Sequence, residues 1–286
     1  MSSKGRAPLA VPLALLGLLV PGVSRADDPP RAADQHFTID PVADITLTGA
    51  SAGFSILLSA ILSTGEIRPS PLQPGDGSKL LGIDRLAITQ SIDPNASTYS
   101  NIGLVVASAF AVADPVLSGI RDGWDAGVVD AVMYAETVSL TEALTDVTKI
   151  AVRRPRPIDY IQCENSTSNA CSSTNLELSF FSGHAATIAS ITSTASYLAF
   201  MRSPDSPRPW LTLGLGTLLT GFVGYERVRA GAHFPTDVIA GALAGAAVGV
   251  LVPHMHRHTG DAPKVWIGTA PAAEGAGGTL SLSGVF

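Results

Sequence analysis

Three short clusters of polar residues in this 286-residue chain combine cations, hydroxyl groups and imidazoles at fixed spacing. They run from Lys149 to Pro157, from Ser179 to His184 and from Arg227 to Asp237. Cations and hydroxyl groups bind anions, and an imidazole can act as a nucleophile or as a proton donor. Together the clusters indicate chemistry on an anionic group such as a phosphate.

The first two clusters stand at the ends of predicted helices. Lys149 and Arg156 follow an apolar segment, whereas Ser182 and Gly183 precede one. A serine there can cap the helix, and a glycine lets an anion approach the free backbone N–H groups. His184 is then placed to protonate a leaving oxygen. Each cluster alone also has a structural interpretation, as cations that meet a helix dipole or as a simple cap.

The third cluster favours a nucleophilic histidine. His233 would need one unprotonated ring nitrogen, held in position by a carboxylate bonded to the other nitrogen. Asp237 has suitable spacing for this, and Pro235 fits the first turn of a following helix. An aspartate and a histidine at a helix start can also be purely structural.

The order of the three motifs, KxxxxxxRP, SGH and RxxxxxHxxxD, resembles that of the phosphatidic acid phosphatase type 2 and vanadium haloperoxidase superfamily. The resemblance implies phosphatase activity without a metal or other cofactor, through a phosphohistidine intermediate. It implies that His233 attacks phosphorus, that Asp237 orients His233 and that His184 protonates the leaving group. By the same resemblance the phosphate-binding residues are Lys149, Arg156, Ser182, Gly183 and Arg227.

The chain departs from the family pattern at Phe181, where proline usually precedes SGH, and at Glu226, where serine usually precedes the arginine. Neither change removes a catalytic group. The expected reaction is hydrolysis of a phosphomonoester or pyrophosphate bond in a phosphorylated lipid or another phosphoester. We also expect the protein to contact membrane lipid. The alternatives are a haloperoxidase that holds vanadate in the same pocket and a non-catalytic envelope protein that keeps the fold.

Hydrophobic periodicity predicts an all-α, six-helix bundle over residues 45–253, embedded in or associated with a membrane. The tail, residues 254–286, contains strand-like runs that predict either a C-terminal β-hairpin or disorder. The predicted helices are Ile45 to Gly65, Tyr99 to Leu117, Gly127 to Val152, His184 to Met201, Pro209 to Tyr225, and Asp237 to Val252.

Composition indicates either tightly packed helices or a membrane setting and argues against nucleic-acid binding. The apolar fraction is 46%, the charged fraction is 15% and the formal net charge is −6, with no basic stripe. Residues 1–26 read as a signal peptide cleaved after Ala26, followed by a polar segment over 27–44. An uncleaved anchor is the alternative. The oligomeric state is not indicated.

Two cysteines, Cys163 and Cys171, lie in one polar loop. In an exported chain they predict a disulfide, and two free thiols are the alternative. We therefore expect a cell-envelope protein whose site faces the periplasm. If the signal is cleaved and all six helices span the membrane, the loop instead lies in the cytoplasm. Two arrangements avoid this conflict: the helix from Ile45 to Gly65 does not cross the membrane, or the bundle rests on the membrane surface.

A set of alternating histidines, His254, His256 and His258, follows the last predicted helix. Imidazoles are common metal ligands, but the surrounding sequence offers no further ligand. From the sequence we expect no metal site.

Overall fold

Within the residues that the structure describes, the helical body contains six long α-helices and two short ones. The computed structural model describes residues 36–64, 76–163, 173–257, 264–271 and 278–285, so the predicted signal peptide lies outside the described residues. The α-helices within these ranges are α1 (Pro41–Ser63), α2 (Gly82–Thr89), α3 (Ala96–Asp122), α4 (Trp124–Val152), α5 (Pro157–Gln162), α6 (Gly183–Arg202), α7 (Arg208–Arg229) and α8 (Pro235–Met255).

Every predicted helix overlaps one of the long helices, but the predicted count of six omits the short α2 and α5. The first helix also starts four residues before the predicted Ile45. Asp40 explains this start, because its Oδ1 accepts hydrogen bonds from the backbone N–H groups of Val42 and Ala43, with Pro41 in the first turn.

Close packing of α8 against α6 forms the centre of the bundle. Three glycines of α8, at positions 241, 245 and 249, face backbone atoms of Ser182, Ala186 and Ser190 on α6. A Cβ at Gly241 would lie only 2.5 Å from the carbonyl oxygen of Ser182. A glycine every fourth residue therefore lets the two backbones approach, as in small-residue interfaces of membrane helices.

Two acidic residues of α4 contact other helices. Asp146 accepts hydrogen bonds from Ser55 and Ser59 of α1 at 2.6 and 3.2 Å. Asp130 forms an ion pair with Arg202 at 2.7 Å. These contacts satisfy carboxylates that would otherwise be costly to bury.

The outer surface of the bundle is apolar. Among the described helices, three are long and apolar enough to cross a membrane, namely Pro41–Ser63, Ala96–Asp122 and Pro235–Met255. Large apolar side chains also point outward from α7, where Leu215 and Leu218 are 65% and 71% exposed. Extended exposed apolar surface marks contact with a membrane or a partner, and here it supports membrane association.

The tail contains two strands, β1 (Lys264–Pro271) and β2 (Gly278–Val285). They pair antiparallel, with Lys264 opposite Val285 and Pro271 opposite Gly278.

Candidate active site

The first motif reaches the site through a sharp turn at the end of α4. Arg153 ends the helix in the left-handed conformation, with φ of 47°, and its backbone N–H donates to the carbonyl of Lys149 at 3.0 Å. The chain then reverses so that Arg156 precedes α5. The side chain of Arg156 donates to Asn175 Oδ1 at 2.9 Å, which ties the turn to the segment before α6.

The second motif forms the start of α6. The Ser182 backbone N–H donates to the carbonyl of Asp237 at 3.0 Å, so the start of α6 is fixed against the start of α8. A Cβ at Gly183 would lie 3.5 Å from Lys149 Nζ. The glycine thus leaves open the space between the helix start and the lysine, where an anion can approach.

The third motif places His233 in the short connection between α7 and α8. The side chain is 2% exposed, and its Nδ1 lies 2.6 Å from the carbonyl oxygen of Ser179. Because a carbonyl can only accept, Nδ1 carries the proton in this contact and Nε2 keeps its lone pair in the neutral ring. That tautomer is the one a nucleophilic Nε2 requires.

Asp237 does not contact His233 in the way that the sequence predicts. Its Oδ2 accepts hydrogen bonds from the Ser179 hydroxyl and from the Phe234 backbone N–H, while Oδ1 pairs with Arg154. Among the described residues, the bond to His233 Nδ1 comes from Ser179 instead. The correction has a geometric reason: Asp237 is the third residue of α8, and its carboxylate turns back to cap that helix at Phe234.

Arg154 is a site residue to which the sequence motifs assign no role. Its guanidinium pairs with two fully buried carboxylates, Asp237 and Asp84, the latter at 2.7 Å. It also stacks over the Phe234 ring, 4.2 Å from the centroid. Arg154 therefore joins α2, the turn after α4 and the start of α8 behind the site.

Helix α3 supplies two further contacts that the motifs do not indicate. Asn101 Oδ1 lies 2.9 Å from His184 Nε2, and Ser100 Oγ lies 3.4 Å from an Arg227 Nη atom. Both partners precede the first motif by about 50 residues in the chain. They show that α3 forms one wall of the site.

Burial and the mutual repulsion of the cations dominate the electrostatics of the cluster. Burial, followed by the positive charge of Arg227, lowers the pKa of Arg156 to about 10. Burial also lowers the pKa of His184 to about 4, with Arg227, Lys149 and Arg156 adding to the effect. Burial, with Arg156 and Arg227 next, lowers the pKa of His233 well below its ordinary value. Both histidines are therefore neutral at pH 7.

Three buried polar atoms of the predicted phosphate-binding residues have no hydrogen-bond partner among the described residues. They are Arg156 Nε, Arg227 Nε and Ser182 Oγ. Buried donors in folded proteins are nearly always paired, and three such donors in one cationic cluster suit a ligand with several acceptor oxygens. A phosphoryl group has that character.

The PAP2 superfamily family model matches residues 130–261, a range that contains all three motifs. Over this range, from within α4 to beyond the end of α8, the chain is similar to the PAP2 superfamily. A solved structure described as the first transmembrane PAP2 type phosphatidylglycerolphosphate phosphatase, from Bacillus subtilis, shares 21% identity with this chain. The match covers 74% of this chain and 93% of that chain, with a TM-score of 0.42. No curated protein matches the chain significantly.

The structure brings all eight predicted site residues to one end of the bundle, where Asp237 contacts Ser179 instead of His233. Cys163, which follows α5, is disulfide-bonded. Its predicted partner Cys171 lies outside the described residues. The arrangement offers a neutral histidine nucleophile, a second histidine and a set of fixed cations, which suits phosphoryl transfer.

Proposed function

We propose that the chain hydrolyses a lipid phosphate through a phosphohistidine formed on His233, without a metal ion at the phosphate. The observation that carries the proposal is the set of three buried, unpaired donors of Arg156, Arg227 and Ser182 near His233. Aimed at the phosphoryl oxygens, these groups would stabilise the transition-state charge that metal ions stabilise in other phosphotransferases. The match of residues 130–261 to the PAP2 superfamily supports the phosphatase class.

The reaction would proceed in two steps. His233 Nε2 attacks phosphorus and the bond to the leaving oxygen breaks, while His184, protonated in the substrate complex, gives that oxygen a proton. Water then attacks the phosphohistidine and gives a proton to His184, which releases inorganic phosphate and regenerates His233. Throughout, Ser179 holds Nδ1–H of His233 and keeps Nε2 directed at phosphorus.

A lipid substrate is supported by an apolar groove between α1, α3 and α4. The groove has a volume of about 820 Å³ and is lined by side chains such as Ala52, Val112 and Ala135. Its lining includes Glu142, which accepts a hydrogen bond from Thr187, one turn after Gly183. We assign the groove to an acyl chain of the substrate, whose phosphate would sit beside Gly183.

The test uses the full-length protein in detergent micelles, with phosphate release measured from a panel of lipid phosphates and soluble phosphoesters. We expect the lipid phosphates to be hydrolysed in the presence of EDTA. His233→Ala should abolish turnover, whereas His254→Ala, far from the site, should retain it. A folded protein that hydrolyses no member of the panel would overturn the proposal.

The intermediate has its own measurement. Rapid acid-free quenching with ³²P-labelled substrate should trap label that is stable to alkali and lost in acid, as phosphohistidine is. The label should be missing in His233→Ala and present in His254→Ala. Turnover without trapped label in any quench would argue for direct attack by water.

We further propose that the site faces the periplasm, because Cys163 is disulfide-bonded and stable disulfides belong to oxidising compartments. Thiol labelling of intact cells, before and after reduction, tests this. If a membrane-impermeant label reacts with the cysteines only after the disulfide is reduced, the loop lies on the periplasmic side. Labelling without reduction, in permeabilised cells alone, would place the loop in the cytoplasm.

A further inference from the structure

Three ionisable side chains that take no part in phosphate binding converge on the far side of the bundle. Asp44 of α1, Glu136 of α4 and His256 after α8 each offer one ligand atom, and these atoms lie within 4.8 Å of one another. Glu136 is 13 residues before Lys149 on the same helix, a separation of about 20 Å along its axis. The cluster is therefore separate from the proposed active site.

The imidazole of His256 is oriented as in a metal ligand. Its Nδ1 lies 2.8 Å from the carbonyl oxygen of Val252, so Nδ1 carries the proton and Nε2 is directed the other way. Nε2 lies 3.3 Å from Asp44 Oδ1 and 3.4 Å from Glu136 Oε2. Metal-binding histidines usually donate their second ring N–H to a carbonyl or carboxylate in this way.

The two carboxylates also have the disposition of ligands. Glu136 is 3% exposed, and its Oε2, the atom closest to His256, is buried and accepts no hydrogen bond from the described residues. Asp44 uses Oδ2 to accept from the Asp40 backbone N–H at 2.8 Å, which leaves Oδ1 for the centre of the cluster. One carboxylate oxygen from each residue thus points at His256 Nε2, with which it forms an ion pair when the imidazole is protonated. A divalent cation would take the place of that proton.

The spacing fits a small divalent cation. Ligand atoms about 2.1 Å from a tetrahedral ion are roughly 3.4 Å apart, close to the observed separations from Nε2. One imidazole and two carboxylates with an open fourth position suit Zn²⁺ or a similar ion. We propose that Asp44, Glu136 and His256 bind a structural divalent cation of the Zn²⁺ type, with water as the remaining ligand.

The ion would join three parts of the chain that are distant in sequence. The segment before α1 already contacts the end of α8, since the Thr38 backbone N–H donates to the carbonyl of His256 at 2.9 Å. A cation bound by Asp44, Glu136 and His256 would fix the start of α1, the segment before it and the end of α8 to the middle of α4. The site is expected to stabilise the fold and to leave the phosphatase chemistry unchanged.

The test is zinc binding by tag-free, full-length protein that has been stripped with EDTA in detergent. We expect one Zn²⁺ per chain in competition with a chromophoric chelator, and a rise in Tm of roughly 5–10 °C at free Zn²⁺ about 100-fold above Kd. Co²⁺ in place of Zn²⁺ should give the visible absorption of a tetrahedral nitrogen and oxygen site.

Matched variants distinguish zinc binding at this cluster from zinc binding by other histidines. His256→Gln and Glu136→Gln should lose the stoichiometric ion, the Tm rise and the Co²⁺ spectrum. His254→Gln, whose Nδ1 contacts Tyr197 at 2.9 Å, should keep all three. Stripped wild-type protein that takes up no stoichiometric Zn²⁺ would show that the cluster holds only a protonated imidazole between carboxylates. Equal loss of zinc in His254→Gln would also overturn the proposal.

Discussion

The carbonyl oxygen of Ser179 accepts the hydrogen bond from His233 Nδ1 at 2.6 Å, and the hydroxyl group of the same serine donates to Asp237. Ser179 thus links Asp237 to His233, and in the proposed mechanism Ser179 is a positioning residue for the nucleophile. Its backbone fixes the tautomer of His233, and its side chain fixes that backbone against α8.

Ser179→Ala should keep the backbone carbonyl that contacts His233 but remove the hydroxyl that holds this backbone against Asp237. We expect kcat to fall about 10- to 100-fold, because a small displacement of the nucleophile is costly, with KM nearly unchanged. Steady-state kinetics on a lipid phosphate measures this. Ser190→Ala is the control, since Ser190 is also buried and bonds only to Thr187 of its own helix. Equal kcat values in the two variants would remove Ser179 from the catalytic account.

Arg154 should be essential to stability as well as to activity. Arg154→Met would leave the buried carboxylates of Asp84 and Asp237 without their common partner, and breaking such pairs costs about 3–5 kcal/mol. Thermal unfolding in detergent should show a clear drop in Tm. The neighbour Arg153→Met is the control, because Arg153 is exposed and bonds only to its own helix. A Tm equal to that of the control would contradict this assignment.

The motif residues could be predicted from the sequence because they lie at the ends of apolar helices with family spacing. Lys149, Ser182 and His233 needed no tertiary information. Asp84 and Asn101 could not be predicted in this way, because each reaches the site on a helix, α2 or α3, whose own sequence carries no motif.

The same reasoning explains the error at Asp237. Spacing places the carboxylate one helical turn from His233, but it cannot decide whether that carboxylate bonds to the imidazole or caps its own helix. The structure shows the cap, supported by Arg154 and Ser179. The cluster around His256 is a comparable case, since Asp44 and Glu136 are far from it in sequence and become neighbours only when α1, α4 and α8 pack.

The pKa of His184 should rise when phosphate binds. Burial, with the charges of Arg227, Lys149 and Arg156, lowers that pKa to about 4 in the free protein, so His184 is neutral at pH 7. A phosphate dianion offsets those positive charges and stabilises the protonated ring. The loss of activity caused by deprotonation of His184 should therefore occur at a higher pH in the profile of kcat than in that of kcat/KM. The reason is that kcat reports the substrate-bound complex, whereas kcat/KM reports the free protein.

Side-chain NMR of ¹⁵N-labelled histidines measures the same effect directly. The resonance of His184, assigned by its loss in His184→Gln, should titrate below pH 5 without ligand and at higher pH with inorganic phosphate. A titration near pH 6.5 in the free protein, or one that phosphate does not move, would contradict the argument.

Gly241→Ala should disturb the site through packing alone. The new Cβ would lie 2.5 Å from the Ser182 carbonyl oxygen and 3.2 Å from its nitrogen, so α8 and the start of α6 must separate. We expect lower Tm and lower kcat. Gly221→Ala is the control, because a Cβ there meets nothing within 4 Å and an alanine favours the helix by up to about 1 kcal/mol. An active, equally stable Gly241→Ala protein would show that this close approach is not needed.

Filling the apolar groove should separate lipid substrates from soluble ones. Ala135 lines the groove on α4, so Ala135→Trp would occupy space that we assign to an acyl chain. We expect KM for a long-chain lipid phosphate to rise about 10-fold or more, from the apolar contact that is lost, while a short soluble phosphoester is hydrolysed as before. Ala50→Trp, on an exposed part of α1 outside the groove lining, should change neither substrate. If Ala135→Trp impairs hydrolysis of both substrates equally, the groove is not a chain-binding site and the tryptophan acts on the fold. If it impairs hydrolysis of neither, the acyl chain lies elsewhere on the bundle.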